Sequence, residues 1–291
     1  MGEEGGGRKA VNLLSGDNLK IKRRKSKLPK PYYETELGKL YHGDCLQIMP
    51  YLEPVDLVLT DPPYGTTACR WDIVIPFEPM WKQLERIIKK NGVIVLFGNQ
   101  PFTSALIMSN VKMFKYELIW DKIMPVGHLV ARKRIMSVHE NILLFYDKKP
   151  TFNRQFTERK LEDQRKNIVK NYDKLLTTSK TVLVKNTPET KFSNGYDNTK
   201  INPKSIISIT KRIAHKDRVH PTQKPVALME YLIKTYTNEG EVVLDFCIGS
   251  GTTSIACERL NRKWIGIEIE EKYCEIAAKR IEQERKQLKL F

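Results

Sequence analysis

Short apolar runs alternate with helical patterns in two blocks of this chain, and that alternation commits it to a parallel sheet covered by helices on both faces. In the first block Gly38 to His42, Val55 to Thr60 and Val93 to Phe97 read as strands. A helix from Pro79 to Lys90, closed by Asn91-Gly92, separates the second and third of these, and a short helix after Pro101 leads to β-like runs at Tyr116 to Trp120 and Asn141 to Tyr146. The second block reads as a helix from Pro225 to about Thr237, a strand Val242 to Asp245, a helix Thr252 to Leu260, a strand Trp264 to Glu268 and a long helix from Glu271 to about Lys289. Runs as uniformly apolar as VDLVLT belong to strands buried on both faces. The expected organisation is a flexible basic tail over residues 1–31, one α/β domain built from 32–146 and 219–291, and a polar Lys/Asn/Thr-rich insertion over 147–218.

The chain carries 50 Lys and Arg against 34 Asp and Glu, and the excess is localised. Nine basic and three acidic residues lie in 1–30, eighteen and seven in 148–218, and the rest is close to neutral. A neutral body with two basic segments suits a polyanion, because clustered positive charge releases counterions from phosphates; a solvated basic surface is the plainer alternative. Hydrophobic residues at 41% are enough for a packed interior. No apolar run approaches the roughly 20 residues that span a bilayer, and the first residues lack the pattern of a signal peptide, so no membrane partner and a cytoplasmic location are expected. The five cysteines form no CxxC or Cys/His cluster, which speaks against a metal site or a disulfide framework.

Two segments carry chemistry. In VVLDFCIGSGTTSIACERL a strand ends at Asp245, turns through Cys247, Gly249, Ser250 and Gly251, and enters a helix at Thr252. Such glycines let backbone turn tightly and approach a ligand, while the helix start offers unpaired N–H groups. The next strand ends at Glu268, where doubly wound folds place a carboxylate on ribose hydroxyls. The turn is not GxGxxG, and GxxxxGK[ST] is absent, so nucleoside triphosphate hydrolysis is not indicated. In VDLVLTDPPYG a buried strand runs into Asp61-Pro62-Pro63-Tyr64. Paired prolines cannot continue a ladder, so they fix a rigid loop that presents a carboxylate, carbonyls and an aromatic face at the sheet edge. That set suits a planar heterocycle bearing an amino group. His139 and His220 lack partners at metal or triad spacing and read as structural.

Asp61-Pro62-Pro63-Tyr64 together with Asp245 to Thr253 resembles the amino-directed DNA methyltransferases. The motif order, catalytic before cofactor, is similar to their permuted β group, and the resemblance covers about 38–146 and 219–285. It implies a doubly wound, mostly parallel seven-stranded sheet, S-adenosylmethionine as cofactor, DNA as partner, and a target-recognition region between the two blocks. In YHGDCL, Asp44 matches a segment near the cofactor adenine; in HPTQKPVAL, Thr222 and Lys224 match one that reaches its methionine end. The family's turn commonly reads Asp-Pro-Phe, whereas here Asp245-Phe246-Cys247 stands, putting Cys247 where an aromatic would touch the cofactor. The implied reaction is methyl transfer to adenine N6 with the target base flipped out, since Asp at the first position of the tetrapeptide is mainly found in adenine enzymes. Cytosine N4, an RNA base or protein amide, and an inactive DNA-binding relative are the alternatives. A homodimer, a partner endonuclease and a prokaryotic or phage source would fit the same family.

Overall fold

Every residue of the run VDLVLT is buried, and the architecture is arranged around it. The structure, a computed structural model, describes residues 28–67, 69, 72–126, 131–159, 199–210 and 223–288. The expected tail therefore lies almost wholly outside the described residues, as do Thr222, His220 and most of 147–218. In chain order the elements are β1 (Tyr33–Glu34), β2 (Gly38–His42), α1 (Cys45–Ile48), β3 (Val55–Thr60), α2 (Phe77–Ile87), β4 (Ile88–Gly98), α3 (Phe102–Ser109), β5 (Phe114–Val126) and β6 (Ser137–Phe145). They continue as β7 (Thr157–Glu158), β8 (Lys200–Ile201), β9 (Ile206–Ser208), α4 (Val226–Tyr236), β10 (Val242–Asp245), α5 (Thr252–Arg259), β11 (Lys263–Glu268) and α6 (Glu271–Leu288).

The main sheet runs β1-β2-β11-β10-β3-β4-β6-β5-β9, and β7 pairs with β8 apart from it. β2, β11, β10, β3 and β4 are mutually parallel, while β6 is antiparallel to both β4 and β5. These strands with β5 make the expected seven; the two-residue β1 and three-residue β9 extend the edges. β9 comes from within the expected insertion and pairs in parallel with β5.

Side chains alternate across the strands, so odd and even positions build two cores. Leu57, Leu59, Val93, Val95 and Phe97 pack under α4, α5 and α6 through residues such as Leu232, Ala256 and Ala277. Val58, Ile94 and Leu96 pack on the other face against Ile48 of α1, Trp81 and Leu84 of α2, and Leu106 of α3. Several expected boundaries move, among them the start of β4, which is Ile88 rather than Val93. The helix expected to reach Lys90 ends at Ile87, because Ile88 already pairs with Val55 and both Asp56 carboxylate oxygens accept from Lys89 Nζ at 2.8 Å. β5 and β6 both start earlier or run further than their apolar cores because the hairpin ladder continues through polar residues to Asp121 and His139.

Candidate active site

The site follows from the topology. From β3 the chain crosses through α2 to β4 on one side, and from β10 it crosses through α5 to β11 on the other. β3 and β10 are neighbours, so the crossovers part between them and leave a crevice at their C-terminal ends, the usual ligand position in open α/β sheets. Four adjacent parallel strands end there in a row, followed or closed by Asp44 after β2, Glu268 on β11, Asp245 on β10 and Asp61 after β3. A cavity of about 450 Å³ runs along them and is lined by all four carboxylates.

At the β3 end, Pro62, Pro63 and Tyr64 also line the cavity. Tyr64 Oη donates to Asp61 Oδ1 at 2.5 Å, and its ring stacks on Phe102 with centroids 5.1 Å apart. Burial, then the neighbouring Asp61 charge, pushes the Tyr64 phenol well up, so it remains a donor. Lys224 Nζ donates to Asp61 Oδ2 and lies 3.3 Å from Glu140 Oε2. Burial pushes the Asp61 carboxyl up against the opposing pull of Lys224. Lys224 loses hydration in the same place, but Asp61 and Glu140 overcompensate and hold its ammonium above the ordinary lysine value. The resemblance implies the cofactor's methionine end for Lys224; in the structure Lys224 lines the cavity with its ammonium against two carboxylates.

The loop after Tyr64 is held by Asp72, a residue the sequence reading missed. Asp72 Oδ1 accepts from the amides of Tyr64 and Gly65 at 2.8 and 2.9 Å, and Oδ2 from those of Thr66 and Thr67 at 2.9 and 2.7 Å. Burial alone would raise this carboxyl, but the bonds from Thr67, Gly65 and Thr66 outweigh it and hold it below the ordinary range. Loop order from this clamp is thus complete above the ordinary aspartate value of about 3.9 and is lost as pH falls through the lower folded-state value. Asp72→Asn turns an NH2 toward two amide donors. Hydrogen exchange at Tyr64 to Thr67 is expected to quicken at least about tenfold, the equivalent of one hydrogen bond to a charge. Unchanged exchange would remove the clamp.

On the β10 side, Asp245 turns inward. Its Oδ2 accepts from Thr253 Oγ1 at 2.6 Å and its Oδ1 from the Cys247 amide at 3.2 Å, stapling the turn to the start of α5. Burial pushes the Asp245 carboxyl up to about 7 against those bonds. Gly249 and Gly251 both hold left-handed backbone, at φ +54° and +80°. A Cβ at Gly249 would meet nothing within 4 Å, so its surroundings are open. At Gly251 it would stand 3.0 Å from Ala277 Cβ, so this glycine serves the approach of α5 to α6, and it does not line the cavity. Ser250 is buried against Arg280, whose Nη1 also reaches Thr252 Oγ1 at 3.5 Å. Ser250 and Thr252 line the cavity with Cys247, a free thiol whose hydrogen bond to the Cys45 thiol, together with burial, raises it well above the ordinary value.

Glu268 Oε2 accepts from the Gly249 amide at 2.8 Å and Oε1 from the Glu270 amide at 2.9 Å, which fixes the carboxylate while each oxygen keeps lone-pair capacity for hydroxyl donors. Asp44 caps α1 through Leu46 N at 2.8 Å and faces the same cavity. His139 is exposed on the β5–β6 hairpin, whereas its neighbour Glu140 is buried and lines the cavity. In sequence Glu140 stands among polar residues ahead of the apolar run Ile142 to Phe145 and carries no local signal of burial.

With this geometry in view, comparison with known proteins gives a consistent result. The DNA methylase family matches residues 55–279. Type II methyltransferase M2.LlaDCHI of Lactococcus lactis subsp. cremoris is 27% identical over 282 residues, covering 87% of this chain and 93% of its own. DNA adenine methyltransferase YhdJ of Escherichia coli (strain K12) is 28% identical over 274 residues, covering 86% and 84%. Among solved structures, the M1.HpyAVI–SAM complex matches with a TM-score of 0.54 at 25% identity, covering 84% of this chain and 99% of that one.

Proposed function

We propose that this chain, which belongs to the DNA methylase family, transfers a methyl group from S-adenosylmethionine to the N6 amine of adenine in DNA. The observation that carries the reading is one cavity shared by the Asp61 loop and the Gly249 turn, so that a carboxylate suited to an amine faces the same space as a nucleoside cradle. The cradle fits the cofactor on its own geometry: open space at Gly249, a carboxylate held at Glu268 for ribose hydroxyls, and Asp44 across from it. Cys247, Ser250 and Thr252 would complete its walls, with Asp245 fixing the turn. Thr222 belongs to the same proposal and lies outside the described residues.

When bound, the cofactor supplies an electrophilic methyl group on its sulfonium. The chain's own residues have to make the exocyclic nitrogen a better nucleophile, since its lone pair is delocalised into the ring. The base must leave the duplex stack to reach Asp61. There Asp61 Oδ1 and the Pro62 carbonyl accept hydrogen bonds from the NH2, returning electron density to nitrogen and aiming it at the methyl group, so catalysis is positioning plus electrostatics. Tyr64 Oη occupies Asp61 Oδ1 in the structure, so base entry displaces that bond and frees the ring to stack on the incoming purine.

The basic segment 147–218 is proposed as the target-recognition region, on its charge and its position between the two halves of the sheet. Among the described residues no helix is long and apolar enough to cross a membrane. A bacterial cytoplasmic setting, a partner endonuclease and a homodimer belong to the same proposal; the Type II name of the Lactococcus relative supports the first two. The test is to express the chain in a host lacking DNA methylation, digest the genomic DNA to nucleosides and separate them. N6-methyladenine is expected. N4-methylcytosine in its place would overturn the adenine assignment, and neither product, with cofactor binding intact, would favour the inactive relative.

A further inference from the structure

Behind Asp61 lies a line of buried charges that the reaction above leaves unused. Lys122 on β5 is 2% exposed and donates to Glu140 Oε1 at 3.1 Å. Glu140 Oε2 lies 3.3 Å from Lys224 Nζ, and Lys224 Nζ donates to Asp61 Oδ2. Lys224 also sits 5.0 Å from the centroid of the buried Phe97 ring. The order is cation, carboxylate, cation, carboxylate, and the formal charges cancel. Because β6 runs antiparallel to β4, its early residues lie at the edge where β3 and β10 end, which is how Glu140 reaches the site. Apolar residues of similar volume commonly hold such positions at no loss of stability, so stability alone does not account for two buried ion pairs meeting at this spot.

We propose that Glu140 is a positioning residue for the catalytic carboxylate: it shares the Lys224 ammonium with Asp61, which fixes Asp61 Oδ2 and leaves Oδ1 for the target amine, while Lys122 anchors Glu140 from behind. The inference rests on the assignment of Asp61 given above. Its electrostatic consequence has a definite sign. Asp61 is faced by Lys224 ahead of α4, Glu140 on β6, Tyr64 on its own loop and Asp245 on β10, with Lys122 of β5 one step further away. Glu140 is a like charge to Asp61 and keeps it basic; it also draws off part of the Lys224 charge. Without Glu140 the whole ammonium falls to Asp61, which becomes more acidic and a weaker acceptor.

The experiment measures single-turnover methylation of genomic DNA from a methylation-deficient bacterium, across pH, with the full chain in excess over sites. Glu140→Gln is expected to lower the plateau rate roughly tenfold, a modest misplacement of a reacting group. It is also expected to move the acid limb to lower pH by about one unit, the effect of one nearby charge. Affinity for S-adenosylmethionine by calorimetry should stay at the parent value, and Glu140→Asp should recover part of the rate. Should Glu140→Gln alone fail to fold because Lys122 is stranded, the charge-balanced pair Lys122→Met with Glu140→Gln decides, and the same lowered rate and shifted limb are expected. Parent rate and parent acid limb in the folded pair would overturn the proposal. Failure of the Asp61 assignment is distinguishable, since it would appear as retained methylation in Asp61→Ala whatever Glu140 does.

Discussion

Asp61→Ala is expected to slow single-turnover methyl transfer by at least about a hundredfold, the usual cost of removing one preorganised group that acts on the reacting atom. The carboxylate stands at the end of a strand with no exposed residue, in a loop fixed by two prolines and clamped by Asp72, so no neighbouring acid can swing into its place. Glu140, the nearest other carboxylate in the line, is tied to Lys122 and Lys224. Lys224 keeps Glu140 as a counterion but then shares it with Lys122, so a lower unfolding midpoint is expected alongside and the rate is read on folded protein. Cofactor affinity should persist, since Gly249 in the turn after β10 bonds to Glu268 on β11 and not to Asp61. Asp61→Asn should lose nearly as much, because its NH2 would face either Lys224 or the target amine, donor against donor. More than a few per cent of the parent rate in either variant would take Asp61 out of the reaction.

Several elements could be read from the chain to the residue, and others could not, for one physical reason. Val55–Thr60 and Val242–Asp245 are strands flanked by parallel neighbours, so burial is written into consecutive apolar residues and ends where they end. β5 and β6 continue as a hairpin beyond their apolar stretch, and there the ladder is held by partner strands and by polar side chains that carry no local strand signal. The site divides in the same way. Asp61, Tyr64, Gly249 and Glu268 sit in compact motifs whose neighbours in sequence are their neighbours in space. The bond between Lys224 and Asp61 spans 163 positions in the chain, and the Lys122–Glu140 pair looks in sequence like two solvated charges. Asp72 acts on amides five to eight residues back, across a loop whose spacing follows no familiar turn.

The two glycines of the β10 turn should separate cofactor binding from folding. Gly249→Val is expected to abolish measurable binding of S-adenosylmethionine by calorimetry. Its Cβ would project where nothing lies within 4 Å, beside a cavity lined by Glu268 and Cys247, and the branched methyls would then fill that space. Positive φ at this position adds strain of roughly 1–2 kcal/mol for any L side chain, and more for a β-branched one, so a loss of that size in unfolding free energy is expected alongside. Gly251→Val should act in the opposite proportion. Its Cβ would press against Ala277 Cβ at 3.0 Å and the Ala277 Cα at 3.2 Å, forcing α5 away from α6, so most of its effect should appear as a lower unfolding midpoint. A smaller pair of substitutions sharpens the contrast: Gly249→Ala should weaken cofactor binding more than it lowers stability, and Gly251→Ala the reverse. Unchanged affinity in a folded Gly249→Val protein would refute the placement of the cofactor at this turn, and equal effects of the two alanine variants on stability would refute the separate role assigned to Gly251.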